Sequence, residues 1–393
     1  MSQQVTVLIL GGRLTPNLVG ILALQPHAVE FIVSEDTRAR YDEILAVLEQ
    51  FADLDYSPKP HYLSAYDFVA TRDACLAVAQ AHAGAEVVFD ITSAPKTMGF
   101  AAYEVARFLQ QRAVIVDTAN GRLLDLVPPN AAAMPIEISL EQYLACYGRR
   151  PVPTFAFVKL SVSRKQAIEA ARYLVTAGMA ATEAMDKVRS WNQGKGKRTI
   201  PFQRTQPLST EMRDVLHNLQ AFGLITNLQK QADGRVQYTI LNDMDWEYLK
   251  GTWLEVFVWD QAQHCLDDNQ RPLFGESDLA LSFAIPSDGA RKQIDVGYVY
   301  HGQFIHASCK TGARPFKTEF LDELRAVSSL VGDRFTSRLF ITNAFPPSET
   351  DPDYARFLAQ AKDRAIVVVT GKELPDVGGI LKQQALRPSY SRI

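Results

Sequence analysis

Cysteine is scarce in this chain and never clustered. Cys75, Cys146, Cys265 and Cys309 are the four cysteines in 393 residues, and no two form a Cys-x-x-Cys pair. Such scattering argues against a thiolate zinc site and a disulfide framework, and it fits a reducing cytoplasm. Long apolar runs are missing as well: none approaches the ~20 residues of a membrane span, so no membrane partner is expected. The polar start passes straight into a strand-like run, which is not the pattern of a signal peptide. Charge of one sign is also lacking, with 41 Lys plus Arg against 44 Asp plus Glu and a net charge of -3. No global basic excess advertises nucleic acid, so any nucleic-acid surface has to be local. Neither G-x-G-x-x-G nor G-x-x-x-x-G-K-[ST] occurs. Their absence argues against a dinucleotide redox cofactor and a P-loop ATPase.

What is present is ordinary globular composition, 47% hydrophobic and 22% charged. The length suits roughly two or three domains. Residues 1–150 alternate strand-like and helix-like runs. Val5 to Leu10 is an apolar β-run ended by Gly11-Gly12, Asn17 to Leu24 is helix-like, and Val29 to Val33 is a strand followed by Ser34. Helical patterns over Tyr41 to Phe51 and Ala65 to His82 lead to a strand at Val87 to Ile91, an alanine-rich helix at Thr97 to Gln110 and a strand at Ala113 to Asp117. This alternation predicts a Rossmann-like, mainly parallel sheet with right-handed crossovers. Ligands of such sheets bind beyond the carboxyl ends of the strands. The polar residues there are Gly11, Gly12, Thr15 and Asn17, then Ser34, then Thr92, Ser93 and Lys96. The segment Thr92-Ser93-Ala94-Pro95-Lys96-Thr97-Met98-Gly99 opens a helix. Its backbone N–H groups, hydroxyls and lysine would suit a phosphate; Thr92, Ser93 and Pro95 can equally be a plain cap and helix start.

Residues 151–245 differ in kind. Ser163 to Ala180 and Ala181 to Trp191 read as continuous helix, followed by the basic patch Gly194-Lys195-Gly196-Lys197-Arg198. Ser209 to Phe222 is a helix with a capping serine and Gly223 at its end. Leu224 to Asn227 and Val236 to Leu241 flank a hairpin signal at Ala232-Asp233-Gly234. Helices followed by a two-stranded wing form a winged-helix pattern. Lys195, Lys197, Arg198, Arg204 and Arg213 could meet phosphates, or the segment could be a connector that also dimerises.

Residues 246–393 hold the most informative stretch. Asp295 to Tyr300 and Gln303 to Lys310 are β-rich runs around His301-Gly302, a hairpin by alternation and turn chemistry. An acid on the first strand and a lysine ending the second can come to lie on one side of the sheet. A carboxylate for a hard divalent cation beside a lysine that steadies water or phosphate is what metal-dependent phosphodiester cleavage needs. A helix bearing Glu255 is expected from Gly251 onward, a strand from Asp278 to Ile285, and a polar turn at Ser287-Asp288-Gly289. A helix carrying Glu323 follows from Phe320 to Leu330, with strands at Arg338 to Thr342 and Ala365 to Val369. That order is expected of a restriction-endonuclease-like core. His301 and His306 are explained by turn and strand, Trp253 and Trp259 by the core.

Residues 250–345 resemble the PD-(D/E)xK nuclease superfamily through Trp253-Leu254-Glu255, Ile294-Asp295-Val296 and Ser308-Cys309-Lys310-Thr311-Gly312. Gly11-Gly12-x-x-Thr15-x-Asn17 and Asp90 to Met98 resemble the ligand motifs of the CRISPR-associated Rossmann-fold (CARF) sensor, which is joined to such a nuclease in type III CRISPR ancillary effectors. The resemblance covers nearly the whole chain. It implies a cytoplasmic homodimer that binds a cyclic oligoadenylate, with cyclic tetra-adenylate as the expected ring. It also implies a nuclease in which Glu255, Asp295 and the Cys309 backbone carbonyl hold Mg²⁺ or Mn²⁺, while Lys310 serves the attacked phosphate on DNA or RNA. Two positions depart from the pattern. Ser308 stands where the superfamily usually has a carboxylate two residues before the lysine, and Ala94-Pro95 stand where the sensor more often has Gly-Thr. A ligand-responsive winged-helix transcription regulator with a degenerate nuclease domain is the alternative from another class, and a sensor that degrades its own ring is a third.

Overall fold

The apolar run at the start of the chain forms the centre of a sheet. β1 (Gln4–Leu10), α1 (Leu14–Leu24), β2 (Ala28–Ser34) and α2 (Arg38–Phe51) lead to short β3 (Asp55–Tyr56) and β4 (His61–Leu63). Next come α3 (Phe68–Ala81), β5 (Glu86–Asp90), α4 (Lys96–Leu109), β6 (Arg112–Asp117), β7 (Arg122–Val127), β8 (Met134–Pro135) and α5 (Leu140–Ala145). The computed structural model describes residues 3–51, 55–56, 60–129, 133–191, 199–200, 208–230, 236–287, 289–312, 314–332, 335–348 and 350–389. The sheet order is β3-β2-β1-β5-β6-β7-β8, with β4 also on β2. β1, β2, β5 and β6 run parallel, as expected. Most of their residues are buried, which is why they read as runs rich in Val, Ile, Leu and Phe rather than as alternation. Phe89, Val7 and Ile9 pack with Met98, Ala102, Val105 and Ala106 of α4. The small residues of α4 let the helix lie close to the strands.

One edge differs from the expected parallel order. β7 pairs antiparallel with β6, and β8 antiparallel with β7. The local signal for it is the Asn120-Gly121 pair that closes the loop between Asp117 and Arg122, with Gly121 at φ +62°.

The chain folds into two compact units, Met1–Arg150 with Val299–Gln303, and Pro151–Tyr298 with Phe304–Ile393. Within the first unit Gln303 donates its side-chain amide to the carbonyls of Thr118 (3.3 Å) and Ala119 (2.8 Å).

The second unit begins with β9 (Val152–Pro153), α6 (Arg164–Thr176), α7 (Gly178–Trp191), β10 (Thr199–Ile200), α8 (Thr210–Phe222), β11 (Thr226–Lys230), β12 (Val236–Thr239) and α9 (Asp243–Glu247). Gly178, at φ +57°, divides into two helices what the sequence pattern presents as continuous. Ser209 caps α8 by accepting from the Met212 N–H, and Gly223 ends it at φ +87°, both as expected. β10, β12 and β11 make a small antiparallel sheet. The Gly194-to-Arg198 patch, Arg204 and the Ala232-Asp233-Gly234 turn lie outside the described residues, as does Asp288.

A π-helical turn, Tyr248–Thr252, runs into α10 (Trp253–Gln263). Then follow β13 (Leu279–Ser287), β14 (Ala290–Tyr300), β15 (Gln303–Lys310), α11 (Thr318–Ser329), β16 (Thr336–Thr342), α12 (Pro352–Asp363), β17 (Ile366–Val369) and α13 (Val377–Leu386). The sheet order is β17-β16-β15-β14-β13-β9. β9, β13 and β14 pair antiparallel, while β15, β16 and β17 run parallel. The β14–β15 hairpin turns on His301 (φ +48°) and Gly302 (φ +69°), the left-handed pair that a two-residue loop needs to match strand twist.

α6 and α7 are bound into this unit by buried polar contacts. Arg172 makes a bidentate pair with Asp260 of α10 at 2.7 and 2.9 Å. The Tyr248 hydroxyl donates to the Ala167 carbonyl at 2.6 Å, and Thr182 and Asn343 exchange hydrogen bonds at 2.9 to 3.0 Å. Asp260 is only 2% exposed. Arg172→Ala should therefore leave the Asp260 carboxylate with only the longer contacts of Gln261 (3.3 Å) and His264 (3.5 Å) and lower unfolding stability by about 2 kcal/mol in a urea titration. Asp260→Asn in the same background should restore part of it.

Candidate functional site

In the second unit the site is set by a helix buried on every side. Trp253, Leu254, Val256, Phe257 and Val258 are all buried, so α10 has no wet face for an acid to occupy. Glu255 is carried inside with them and is 7% exposed. Among the described residues its Oε2 finds no hydrogen-bond partner. Burial, and next the charge of Asp295, push its carboxyl well above the ordinary range; a hydrogen bond with Ser282 offsets part of this.

Asp295 sits on β14. Its Oδ2 accepts from the Cys309 N–H at 2.7 Å and the Ser308 hydroxyl at 3.3 Å. Burial raises its pKa, while Lys310 and these two donors pull the other way. Ser308 thus donates to Asp295 and adds no charge of its own. Lys310 ends β15, and its Nζ lies 3.3 Å from Glu323 Oε2 on α11 and 5.2 Å from the Phe320 ring centroid. The structure therefore brings Glu255, Asp295 and Lys310 into electrostatic reach of one another, with Glu323 as the lysine's partner.

The donor set tests the metal expectation. Among the described residues no group of three or more His, Cys, Asp or Glu side chains is arranged for a metal ion. The Cys309 thiol is pushed well above its ordinary pKa by burial, Asp295 and Glu255. Two carboxylates that repel each other, one with an orphaned oxygen, fit a hard, oxygen-binding cation that keeps several waters. His306 is buried, bonds Ser328 Oγ at 3.0 Å, and is held neutral by burial, Lys310 and Arg338 with a pKa of about 3. It packs as a core residue of its strand, as expected.

In the first unit the strand ends gather a second cluster. A Cβ on Gly11 would fall 1.6 Å from the Ser93 carbonyl oxygen, so only glycine lets the β1 end and the β5 loop touch. Asn17 is fully buried and its Oδ1 accepts from the Ser93 hydroxyl. Thr15 donates to the Cys146 carbonyl at 3.4 Å. Ser34 is buried and shares a 2.8 Å hydrogen bond with Thr37, which also donates to the Leu10 carbonyl. Gly12 and Lys96 are exposed. Lys96 opens α4, whose N-terminus has no side-chain cap, so its free N–H groups and the lysine suit an anion.

Asp90, the first residue of the quoted motif but not among the expected ligand residues, is central to this cluster. Its Oδ1 accepts from the Thr92 N–H at 2.9 Å and the Thr92 hydroxyl at 2.5 Å. Thr92 Oγ1 in turn accepts from the Val116 N–H at 2.9 Å. The Thr92 hydroxyl is thereby occupied in joining β5 to β6. Gly20 makes the room, since a Cβ there would lie 2.6 Å from Asp90 Oδ2. An Asp two residues before a Thr at a strand end is the signal that could have marked it.

No protein-family model matches the chain, and no curated protein does. Solved structures do match in fold. The crystal structure of protein VC1899 from Vibrio cholerae superposes with a TM-score of 0.75 at 18% identity, over 98% of each chain. Can2 from Sulfobacillus thermosulfidooxidans, solved in complex with cyclic tetra-adenylate, matches at 0.67 and 17% over 99% of this chain and 98% of its own. A type III CRISPR defence DNA nuclease activated by cyclic oligoadenylate matches at 0.51 and 16%, over 90% of this chain and 47% of its own. At these identities the likeness is one of fold.

Burial raises the Asp90 pKa to about 6, the bonds from Thr92 offsetting only part. A raised carboxyl pKa favours the protonated folded state. Its stabilising contribution is complete below about pH 4 and is lost as pH rises through about 6. The shift from 3.8 to about 6 corresponds to about 3 kcal/mol. Asp90→Asn, which keeps an acceptor for Thr92, should flatten stability against pH across that window; parallel urea titrations at pH 4 to 8 check it.

Proposed function

We propose that this chain is a nuclease switched on by a cyclic oligoadenylate in type III CRISPR antiviral defence. The observation that carries the proposal is the buried Glu255–Asp295 pair beside Lys310 on a hairpin strand, in a chain that shares its fold end to end with a protein solved holding cyclic tetra-adenylate. In this reading residues 1–150 are a CARF-type sensor, 151–245 a winged-helix-like connector and 246–393 a PD-(D/E)xK nuclease. The protein works as a cytoplasmic homodimer.

In the sensor, Gly12, Thr15, Ser93 and Lys96 line the ring-binding surface. Gly11, Asn17, Ser34 and Thr92 shape it from beneath, as their burial and their mutual contacts favour. Two-fold symmetry suits a ring with an even number of adenylates, each protomer reading half of it. Binding activates the nuclease by favouring the arrangement that holds the ring better.

In the nuclease, Glu255, Asp295 and the Cys309 carbonyl would hold Mg²⁺ or Mn²⁺. When bound, such an ion supplies Lewis-acid stabilisation of phosphoryl charge. Ser308 and the Cys309 N–H fix the Asp295 carboxylate. Lys310 neutralises phosphate charge or orients the attacking water, and Glu323 and Phe320 limit where its ammonium can go. In-line attack on DNA or RNA would leave a 5′-phosphate, by analogy with the superfamily.

Plasmid DNA and single-stranded RNA should be cut only with cyclic oligoadenylate and Mg²⁺ or Mn²⁺ present, and EDTA should stop the cutting. Asp295→Ala and Lys310→Ala should reduce cleavage at least 100-fold, on the scale at which such groups stabilise the transition state, while ring binding measured by calorimetry is unchanged. Lys96→Ala should weaken ring binding about tenfold, the scale of one lost charge-assisted contact. Cleavage that persists in EDTA, or equal turnover by the Asp295 variant, would overturn the assignment.

A further inference from the structure

Two stretches of chain must stay together for the acid pair to keep its spacing. One is the π-helical turn Tyr248–Thr252, which feeds α10 and so Glu255. The other is Thr311-Gly312, which follows Lys310 at the end of β15. One side chain from α7 ties them. Arg189 Nη1 donates to the Lys250 carbonyl at 3.3 Å and to Thr311 Oγ1 at 2.5 Å. Thr311 Oγ1 itself donates a hydrogen bond to the same Lys250 carbonyl at 3.1 Å. Arg189 Nη2 is held by Asp186, one turn back on α7.

The surroundings fit a built contact. The Arg189 side chain is only 16% exposed. A Cβ on Gly251 would meet Thr311 Oγ1 at 3.0 Å, and Gly312 takes φ +136°, a backbone region suited to glycine. A π-turn is a rare, wide form of helix that is frequently found at functional sites. Here the widened turn offers the Lys250 carbonyl to a partner outside the helix.

We infer that Arg189, acting through Thr311 and the Lys250 carbonyl, is a positioning residue that fixes the spacing of Glu255 against Asp295 and Lys310. The inference rests on the nuclease reading of that site. Three of the five guanidinium N–H donors of Arg189 are spent on protein oxygens, which holds its plane toward Thr311 and the Lys250 carbonyl. Lysine could not replace it, since one ammonium lacks the planar fork that meets Asp186 and Thr311 together.

The test uses the full chain with Arg189→Ala, Thr311→Val and Thr311→Ser. Cleavage of plasmid DNA with cyclic tetra-adenylate and Mn²⁺ gives kcat and KM, and amide hydrogen exchange is read on the ligand-free protein. Arg189→Ala and Thr311→Val should lower kcat at least tenfold with KM within about twofold, in line with the cost of small misplacements at a reacting centre. Exchange should speed up at 250–253 and 311–312 and not elsewhere. Thr311→Ser keeps the hydroxyl and should recover both parent values. Unchanged exchange at both stretches in Arg189→Ala, or a Thr311→Val loss that serine does not rescue, overturns the inference. If the parent cuts nothing with any ring or metal, the nuclease reading fails, and the exchange data still decide whether the tie exists.

Discussion

Two carboxylates forced together out of water are what the second unit is built around. Glu255 is fixed by an all-buried helix and Asp295 by the middle of a sheet, and each carboxyl is raised above its ordinary pKa chiefly by burial. Left alone, such a pair costs free energy, because like charges in a poorly solvated site oppose each other. The surrounding chain offsets it piecewise. The Cys309 N–H and Ser308 hydroxyl donate to Asp295, Lys310 supplies positive charge and Ser282 meets Glu255. One Glu255 oxygen still lacks a partner among the described residues. A site that stays frustrated after its neighbours have been satisfied is a place where function is to be sought.

The first unit stores the same kind of tension in a different form. Asp90 is buried at the end of β5, and its two bonds from Thr92 fix the loop that opens α4. Thr92 then closes on β6 through the Val116 N–H, and Ser93 on Asn17 of α1. The Thr92 and Ser93 hydroxyls are thus engaged by the protein itself. Exposed at the same strand ends are Gly12 and Lys96, beside the uncapped start of α4.

Legibility in the sequence follows the range of the interactions. The parallel strands β1, β2, β5 and β6, the capped helix α8 and the His301-Gly302 hairpin are readable because burial of most strand residues, a serine cap and a left-handed turn each leave a local mark. The antiparallel edge β7–β8 escapes the strand-and-helix alternation although Asn120-Gly121 marks it, and α12 and α13 are absent from the sequence-based expectation. The break at Gly178 is hidden by helical periodicity on both sides of it. The facing of Glu255 is ambiguous for a physical reason: an acid among apolar neighbours looks the same in sequence whether its helix is half wet or wholly enclosed.

The sequence by itself determined the order of most strands and helices, the turn that sets the β14–β15 hairpin, and the residue types available for chemistry. Propensity, capping and periodicity act within a few residues, so they survive reading one letter at a time. Tertiary structure alone decided that α10 is buried on all sides, that Ser308 serves Asp295, that Glu323 meets Lys310, and that Arg189 reaches Thr311 and the Lys250 carbonyl. Those facts depend on segments far apart in the chain being packed together, and desolvation and charge coupling exist only once they are.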